Sequence, residues 1–149
     1  MTCVRPVTHA DAAAWLAMRQ ALWPEEGEKY HPKEIARFLD GGSTMPLAVL
    51  VAEEHEEILG FVELSIRPYA EGCHTDRVGF LEGWYVIPTA RRRGVGRTLV
   101  VAAEKWARMQ GCTEFGSDAL ADNDLSTAAH HALGFEEVEV IRCFRKDLK

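Results

Sequence analysis

The feature that most constrains the fold of this chain is a strand-like segment that runs directly into a glycine-containing helix start, between Phe80 and Leu99. Aromatic and β-branched residues favour a strand over Val78–Ile87, and Pro88 ends it because proline has no amide hydrogen to donate. Apolar residues at helical spacing follow Gly96. The sequence therefore predicts a central strand that leads into a helix ending near Gln110.

An arginine-rich turn, Arg91-x-x-Gly94-x-Gly96, lies between this strand and this helix. A helix start carries unpaired amides and the positive end of the helix dipole, so it is a natural anion site. Glycines allow an anion to approach the backbone, and arginines add fixed charge. We interpret the turn as a pyrophosphate cradle, although the pattern alone also fits a solvated basic helix start or a nucleic-acid patch. The cradle consists of Arg91, Arg92, Arg93, Gly94, Val95, Gly96 and Arg97.

The charge balance points to a cationic second substrate. The chain has 17 Lys and Arg residues against 23 Asp and Glu residues, a formal net charge of −6. Because four arginines are concentrated in the cradle, the rest of the chain is more acidic than this total suggests. Such a distribution suits a cationic ligand and argues against nucleic acid as the main partner. The alternative is that the excess carboxylates only aid solubility.

Length and cysteine usage indicate a single domain, residues 1–149, that works in the cytoplasm. No apolar run approaches the roughly 20 residues of a transmembrane helix, and no signal peptide opens the chain. The four cysteines are scattered, without metal-ligand spacing. We therefore expect free thiols, no metal site and no membrane partner.

Two carboxylates lie on strands that border the predicted cradle. Glu82 precedes Gly83 in the central strand, where a glycine often marks a bulge, and Asp118 ends the next predicted strand, Cys112–Asp118. If the two strands splay, both carboxylates face a cleft, where they can hold an ammonium group or accept its proton. The alternative has Glu82 bonding backbone amides at the bulge and Asp118 capping a turn.

An acidic loop beside Trp23 is a further candidate for a cation site. It contains Glu26, and it is either a wall of the pocket or a solvated connector. Trp23 alternatively only covers the core, the commoner position of a single tryptophan. The other predicted elements are a strand over Val4–Val7, a helix from Asp11 to Pro24, a helix over Pro32–Leu39, a hairpin of Met45–Ala52 and Ile58–Arg67, and a helix over Leu125–Leu133 capped by Asp124.

The cradle, together with Val86-x-Pro88 and Ala132-Leu133-Gly134-Phe135, resembles the GNAT superfamily of acyl-CoA-dependent N-acyltransferases. The resemblance implies an α/β fold with a mixed, mostly antiparallel central sheet, flanking helices and splayed central strands. It also implies acetyl-CoA as cosubstrate, with its pyrophosphate on the cradle. Its pantetheine arm would then contact the backbone of Trp84, Tyr85 and Val86, and also Asn123. The alternative for Asn123 is a capping loop with the neighbouring aspartates, and spacing does not separate the two.

Further motifs resemble one subgroup of this superfamily, the aminoglycoside 6'-N-acetyltransferases. The motifs are Leu22-Trp23-Pro24, Ser65-Ile66-Arg67, Gly72-Cys73, Phe80-Leu81-Glu82-Gly83, Ser117-Asp118 and the segment His130–Glu137. This resemblance implies that Glu82, Asp118 and Glu139 bind the ammonium groups of the drug, with Trp23 and Tyr69 as walls. It also implies direct attack of the 6'-amine on the thioester in a ternary complex.

One position departs from the common family pattern. Many GNAT enzymes have a tyrosine four residues before the glycine of Leu-Gly-Phe, where it protonates the departing thiolate; this chain has His130 there. His130 is therefore a candidate acid, although helix histidines are more often structural. Two other functions stay open: acetylation of another small polyamine or a protein amine, and a non-catalytic acyl-CoA-binding module.

The end of the chain predicts a homodimer. Fifteen residues follow Gly134 without a turn signal, and they read as one long strand, Phe135–Lys146. A lone final strand leaves an unpaired edge, which proteins avoid. Pairing with a partner's strand would cover this edge and would bring Glu139 near a pocket.

Overall fold

The fold is built on one five-stranded sheet in a computed structural model, which describes residues 1–149. The strands lie side by side in chain order, all neighbours are antiparallel except the last pair, and the fold class predicted from the sequence is confirmed. The strands are β1 (Cys3–Pro6), β2 (Ala48–Glu54), β3 (Glu57–Arg67), β4 (Val78–Val86) and β5 (Phe115–Ser117).

Four α-helices cover the two faces of this sheet. They are α1 (Ala12–Leu22), α2 (Tyr30–Leu39), α3 (Val95–Met109) and α4 (Asp124–Ala132). Alternate residues of β2 and β3 point to opposite faces. One face packs α3 through Leu99 and Val100, and the other packs α1 and α2 through Trp15 and Ile35. None of the helices has the length and apolar character required to cross a bilayer.

The predicted bulge in the central strand is confirmed. Glu63 of β3 lies opposite Gly83 of β4, whereas the next residue, Leu64, lies opposite Leu81, so Glu82 is the extra residue. A side chain at position 83 would not fit, since a Cβ there would lie 2.6 Å from the Trp23 ring. The bulge therefore turns Glu82 away from the regular alternation of β4.

The predicted splay between the central strands is also confirmed. β4 and β5 pair in parallel only over Gly79–Leu81 and Phe115–Ser117. Beyond Leu81, β4 continues to Val86 with no partner on the β5 side. The two strands thus open a gap that begins at Ser117 and points toward the start of α3.

The strand predicted over Cys112–Asp118 is shorter in the structure, Phe115–Ser117. The amide of Cys112 bonds to the carbonyl of Ala107 at 3.0 Å, so Cys112 still belongs to the turn that closes α3. Gly111 makes this turn possible with a φ of +84°.

The final strand predicted over Phe135–Lys146 is wrong for the single chain. Residues 135–149 form no helix or strand. The amide of Phe135 closes α4 on the carbonyl of His130 at 3.1 Å, and the residues that follow make no backbone hydrogen bond and do not join the sheet. Alternation alone predicts a strand, but a strand also needs a hydrogen-bonded neighbour.

Candidate active site

The cradle has the geometry of an anion site at the start of α3. Gly94 precedes the helix with a φ of +82°, and no atom lies within 4 Å of where its Cβ would be. Thr98 is the first residue whose amide bonds in the helical pattern, to the carbonyl of Gly94 at 3.0 Å. The amides of Val95, Gly96 and Arg97 precede this bond and have no helical acceptor. Open space and free donors therefore coincide at this helix start.

Gly96 has a second role that the sequence did not suggest. A Cβ at this position would lie 3.3 Å from the indole of Trp84. Trp84 packs beneath the helix start, and its buried Nε1 has no hydrogen-bond partner. Gly96 thus allows Trp84 of β4 to approach the cradle closely.

Three of the four cradle arginines already make hydrogen bonds within the protein. Arg93 donates from Nη2 to Glu54 at 2.5 Å, and Arg97 donates to the carbonyl of Ala132 at 3.3 Å. Arg92 makes no hydrogen bond and has a φ of +65°. Arg93 and Arg97 therefore also tie the cradle to β2 and to the end of α4.

The third of these arginines acts on β4, where pantetheine contacts were predicted. Arg91 donates from Nε to the carbonyl of Val86 at 2.7 Å, and its guanidinium lies 5.2 Å from the centre of the Tyr85 ring. Arg91 thus already donates one hydrogen bond to the Val86 carbonyl, and the contact of pantetheine with Val86 stays a prediction.

A cavity of about 750 Å³ lies on the β5 side of the splay. We call it the acidic cavity, because seven carboxylates and a single arginine line it. This volume is in the usual range for small-molecule sites. Its charged side chains are Arg67, Glu71, Glu104, Glu114, Asp118, Glu136, Glu137 and Glu139.

Glu82 is not a free carboxylate in this site. Arg67 binds it with two hydrogen bonds, from Nε to Oε2 at 2.9 Å and from Nη2 to Oε1 at 2.7 Å. The Arg67 guanidinium also lies 3.6 Å from the centre of the Phe80 ring. Neither reading of Glu82 from the sequence included an arginine from the facing strand, and its role toward the drug stays a prediction.

Asp118 lies just past the end of β5, on the lining of the acidic cavity. Partial burial raises the pKa of this carboxyl, Arg67 lowers it, and the nearby charges of Glu82 and Glu71 raise it again. No salt bridge of the chain includes Asp118. A cationic ligand would relieve this unfavourable environment.

His130 of α4 reaches across to β5. Its Nε2 lies 2.7 Å from Oγ of Ser117, and its Nδ1 lies 2.7 Å from the carbonyl oxygen of Ser126. The rings of Trp84 and Phe135 contact the imidazole edge to face, with centroids 5.3 and 5.1 Å away. These contacts fix the orientation of the imidazole, and its Nε2 is directed at a hydroxyl.

Asn123, rather than Asp124, caps α4. Its side-chain oxygen accepts a hydrogen bond from the amide of Ser126 at 3.1 Å. The cap predicted at Asp124 is therefore off by one residue. Asn123 has the structural role that the sequence left open, and its side-chain NH₂ group makes no hydrogen bond within the chain.

Three predicted wall residues lie outside the acidic cavity. Trp23 packs on Gly83 and beneath the guanidinium of Arg19, which is 5.1 Å from its ring, so it covers the core. Glu26 is exposed in the loop after α1, and Tyr69 is 66% exposed. Glu139 does line the cavity, from the segment that follows α4.

Two residues of this site, Arg67 and Ser117, were not among the predicted site residues. Arg67 pairs with Glu82 only because of the β3–β4 register, which the bulge shifts by one residue. Ser117 meets His130 across a separation of 13 residues. The sequence offered one indication that these two residues belong to the site. Both lie in motifs that resemble those of the aminoglycoside 6'-N-acetyltransferases.

Comparison with known proteins agrees with this geometry. Residues 15–135 match the model of the acetyltransferase (GNAT) family. An aminoglycoside N(6')-acetyltransferase type 1 from Klebsiella aerogenes is 58% identical over 146 residues, which cover 97% of this chain and 96% of that protein. A protein of the same name from Acinetobacter genomosp. 13 is 41% identical and covers 97% of this chain and 98% of its own length.

A solved structure has the same fold over its whole length. AAC(6')-Iy in complex with the bisubstrate analogue CoA-S-monomethyl-acetylneamine superposes with a TM-score of 0.90 at 34% identity, covering 99% of both chains. These matches extend over nearly the whole sequence, including the cradle, the splayed strands and the acidic cavity. The chain belongs to the GNAT acetyltransferase family.

Proposed function

We propose that this protein transfers the acetyl group of acetyl-CoA to the 6'-amine of aminoglycoside antibiotics and thereby gives resistance to them. The observation that carries the proposal is the acidic cavity, which opens where β4 and β5 separate. Aminoglycosides are polycations, and seven carboxylates line this cavity. The names of the relatives, aminoglycoside N(6')-acetyltransferases, support the same substrate and position.

The residues of the chain suit direct transfer in a ternary complex. The free amides of Val95, Gly96 and Arg97 would hold the pyrophosphate of acetyl-CoA at the start of α3. The unpaired edge of β4 offers backbone groups along the splay, where an amide can polarise the thioester carbonyl. Asp118 and Glu139 would hold ammonium groups of the drug and direct a neutral amine at that carbonyl. No group of residues that could hold a metal ion is present.

The experiment that tests this function is a thiol-release assay with purified protein. We expect acetyl-CoA-dependent release with kanamycin and tobramycin, and little release with spermidine or a basic peptide. A matched pair of drugs that differ only in a 6'-amine or a 6'-hydroxyl tests the position of transfer. Equal turnover of both drugs would reject the 6' assignment, and turnover of only spermidine or the peptide would favour another GNAT substrate.

The proposal includes a homodimer. Apolar side chains are exposed along the segment that follows α4, among them Val140 at 67% and Phe144 at 91%. Such a patch on a segment that forms no strand within its own chain supports association with a second copy. Glu139 of the same segment lines the acidic cavity, so the interface and the site would adjoin.

We also propose that the protein acts in the cytoplasm. All four cysteines are free thiols, which supports a reducing compartment.

A further inference from the structure

A hydrogen-bonded chain links Ser126, His130 and Ser117 at the point where the splay opens. The carbonyl oxygen of Ser126 lies 2.7 Å from Nδ1 of His130, and Nε2 of His130 lies 2.7 Å from Oγ of Ser117. Both His130 and Ser117 line the acidic cavity. The proposed function uses neither of these short contacts.

The direction of these hydrogen bonds follows from the acceptor. A carbonyl oxygen only accepts, so Nδ1 of His130 carries the proton and donates it to Ser126. In the neutral ring, Nε2 then has no hydrogen and accepts one from the hydroxyl of Ser117. His130 therefore cannot donate directly from Nε2 while it is neutral. It is arranged to accept a proton through Ser117.

The position of Ser117 suits contact with the reacting atoms. Ser117 is the last β5 residue paired with β4, opposite Leu81, and the strands separate immediately beyond it. Trp84 contacts His130 on one side and Gly96 of the cradle on the other. The hydroxyl thus lies between the proposed acetyl-CoA path along β4 and the carboxylates that would hold the drug.

We propose that Ser117 is a catalytic residue that relays the proton of the attacking amine to His130 and then returns it to the departing sulfur. This inference rests on the proposed function. Attack forms the N–C bond and leaves an N–H proton on a cationic nitrogen. That proton passes to Oγ of Ser117 while the hydroxyl proton of Ser117 moves to Nε2 of His130.

The second half of the relay restores the enzyme. The C–S bond breaks and the sulfur leaves with the electron pair. Nε2 of the imidazolium returns its proton to Ser117, whose own proton passes to the sulfur. One proton has then moved from amine to thiol, and both side chains are unchanged. His130 acts only through Ser117 and is a positioning residue that accepts and returns the proton.

The test compares Ser117→Ala with Ser117→Thr, which keeps a hydroxyl. The readouts are single-turnover acetyl transfer to a 6'-amine drug, and calorimetric affinities for the drug and acetyl-CoA. Loss of acid–base relay should slow transfer about a hundredfold in Ser117→Ala. Both affinities should stay within about threefold of the wild-type values. Loss of a typical neutral hydrogen bond to a ligand would weaken binding more than that. Ser117→Thr should recover most of the rate.

A second variant and a distant control complete the test. His130→Gln should slow transfer as much as Ser117→Ala, and the double variant should be no slower than either single one. Ser43→Ala removes a hydroxyl that donates to the carbonyl of Pro46 at 2.8 Å, far along the chain from the site, and should transfer at the wild-type rate.

The outcomes separate the relay from the proposed function. An active wild type with an equally fast Ser117→Ala variant would overturn the relay and leave the proposed function standing. A slow Ser117→Ala variant that the threonine does not rescue, with weakened drug affinity, would assign Ser117 a purely structural role. No transfer by the wild type to any aminoglycoside would overturn both the proposed function and the relay.

Discussion

Of the two strand carboxylates predicted to bind the drug, Asp118 is the one without a salt-bridge partner, because Glu82 is already paired with Arg67. The bidentate bond between Arg67 and Glu82 neutralises one carboxylate that the sequence assigned to the drug. Asp118 has no such partner, and its environment disfavours the charged form. A bound ammonium group would therefore gain more binding free energy from contact with Asp118 than from contact with Glu82.

We expect Asp118→Asn to weaken drug binding roughly ten- to a hundredfold, the value of one charge-assisted hydrogen bond of about 1.5–3 kcal/mol. Acetyl-CoA affinity should not change, because the cradle is untouched. Calorimetry measures both affinities. Asp76→Asn, in the exposed loop before β4, is the matched control. Equal drug affinity in Asp118→Asn and wild type would remove Asp118 from the site.

The raised pKa of Asp118 also predicts a pH dependence of drug binding. The ammonium group binds the ionised carboxylate, so affinity should fall as pH drops through the pKa of Asp118, which burial holds above its ordinary value. In the Asp118→Asn variant, drug affinity should no longer fall over this pH range. Calorimetric titrations across the acidic range, in wild type and variant, measure the difference. Parallel curves for the two proteins would contradict the prediction.

A second buried carboxylate affects stability rather than binding. Glu63 is 2% exposed, accepts a hydrogen bond from Nε1 of Trp15 at 2.9 Å and lies 3.4 Å from Nε of Arg19. Burial raises its pKa from 4.5 to about 7, and Arg19 and Trp15 offset only part of that rise. The folded chain therefore binds this proton more tightly than the unfolded chain does.

The free energy of unfolding should consequently fall as the pH rises from about 4.5 to about 7, because the raised folded-state pKa of Glu63 stabilises the protein only below that range. Glu63→Gln should remove this slope. Urea unfolding at a series of pH values measures it, with the exposed Glu57→Gln as control. The prediction fails if Glu63→Gln and wild type show the same slope.

At the scale of elements, the start of α3 combines backbone conformation with open space. Gly94 and Gly41 have almost the same φ, +82° and +83°, and both lack neighbours where a Cβ would be. Only Gly94 lies at the cradle, whereas Gly41 follows α2. A substitution at either glycine would strain the backbone, but only a substitution at Gly94 would also obstruct the ligand. Comparing the two therefore distinguishes these effects.

We expect Gly94→Val and Gly41→Val each to lose about 1–2 kcal/mol of stability, because a left-handed conformation is strained for any residue with a Cβ. Only Gly94→Val should also weaken acetyl-CoA binding, by at least about tenfold, since its side chain blocks the pyrophosphate. Thermal unfolding and calorimetry measure the two effects. Unchanged acetyl-CoA affinity in folded Gly94→Val protein would place the cradle elsewhere.

Local patterns predicted the elements well, and pairings between elements poorly. The Glu82-Gly83 bulge and the helix stop at Gly111 were predictable because each depends on a residue type at one place in the chain. The bond from Arg67 to Glu82 was not, because it depends on the register of two strands. The bond from His130 to Ser117 likewise requires the position of α4 over β5.

At the scale of the whole molecule, the segment after α4 is the part that the single chain leaves uncovered. Its exposed apolar residues lie within eleven positions of the chain. Between Val138 and Ile141, the only charged residue is Glu139. Burial of such side chains against a second copy would contribute about 25 cal/mol per Å² of apolar surface. The same contact would fix the wall of the acidic cavity that contains Glu139.

We therefore expect the wild-type protein to be a dimer at micromolar concentration, and Val140→Glu and Phe144→Glu each to shift it toward monomer, because a buried unpaired charge opposes association. Light scattering coupled to size-exclusion chromatography measures the mass. Val101→Glu is the matched control, since Val101 is 56% exposed and lies on α3 rather than in this segment. The Val101→Glu variant should stay dimeric. A monomeric wild type would contradict the proposed dimer. A dimer that both glutamate variants leave intact would place the interface on another surface.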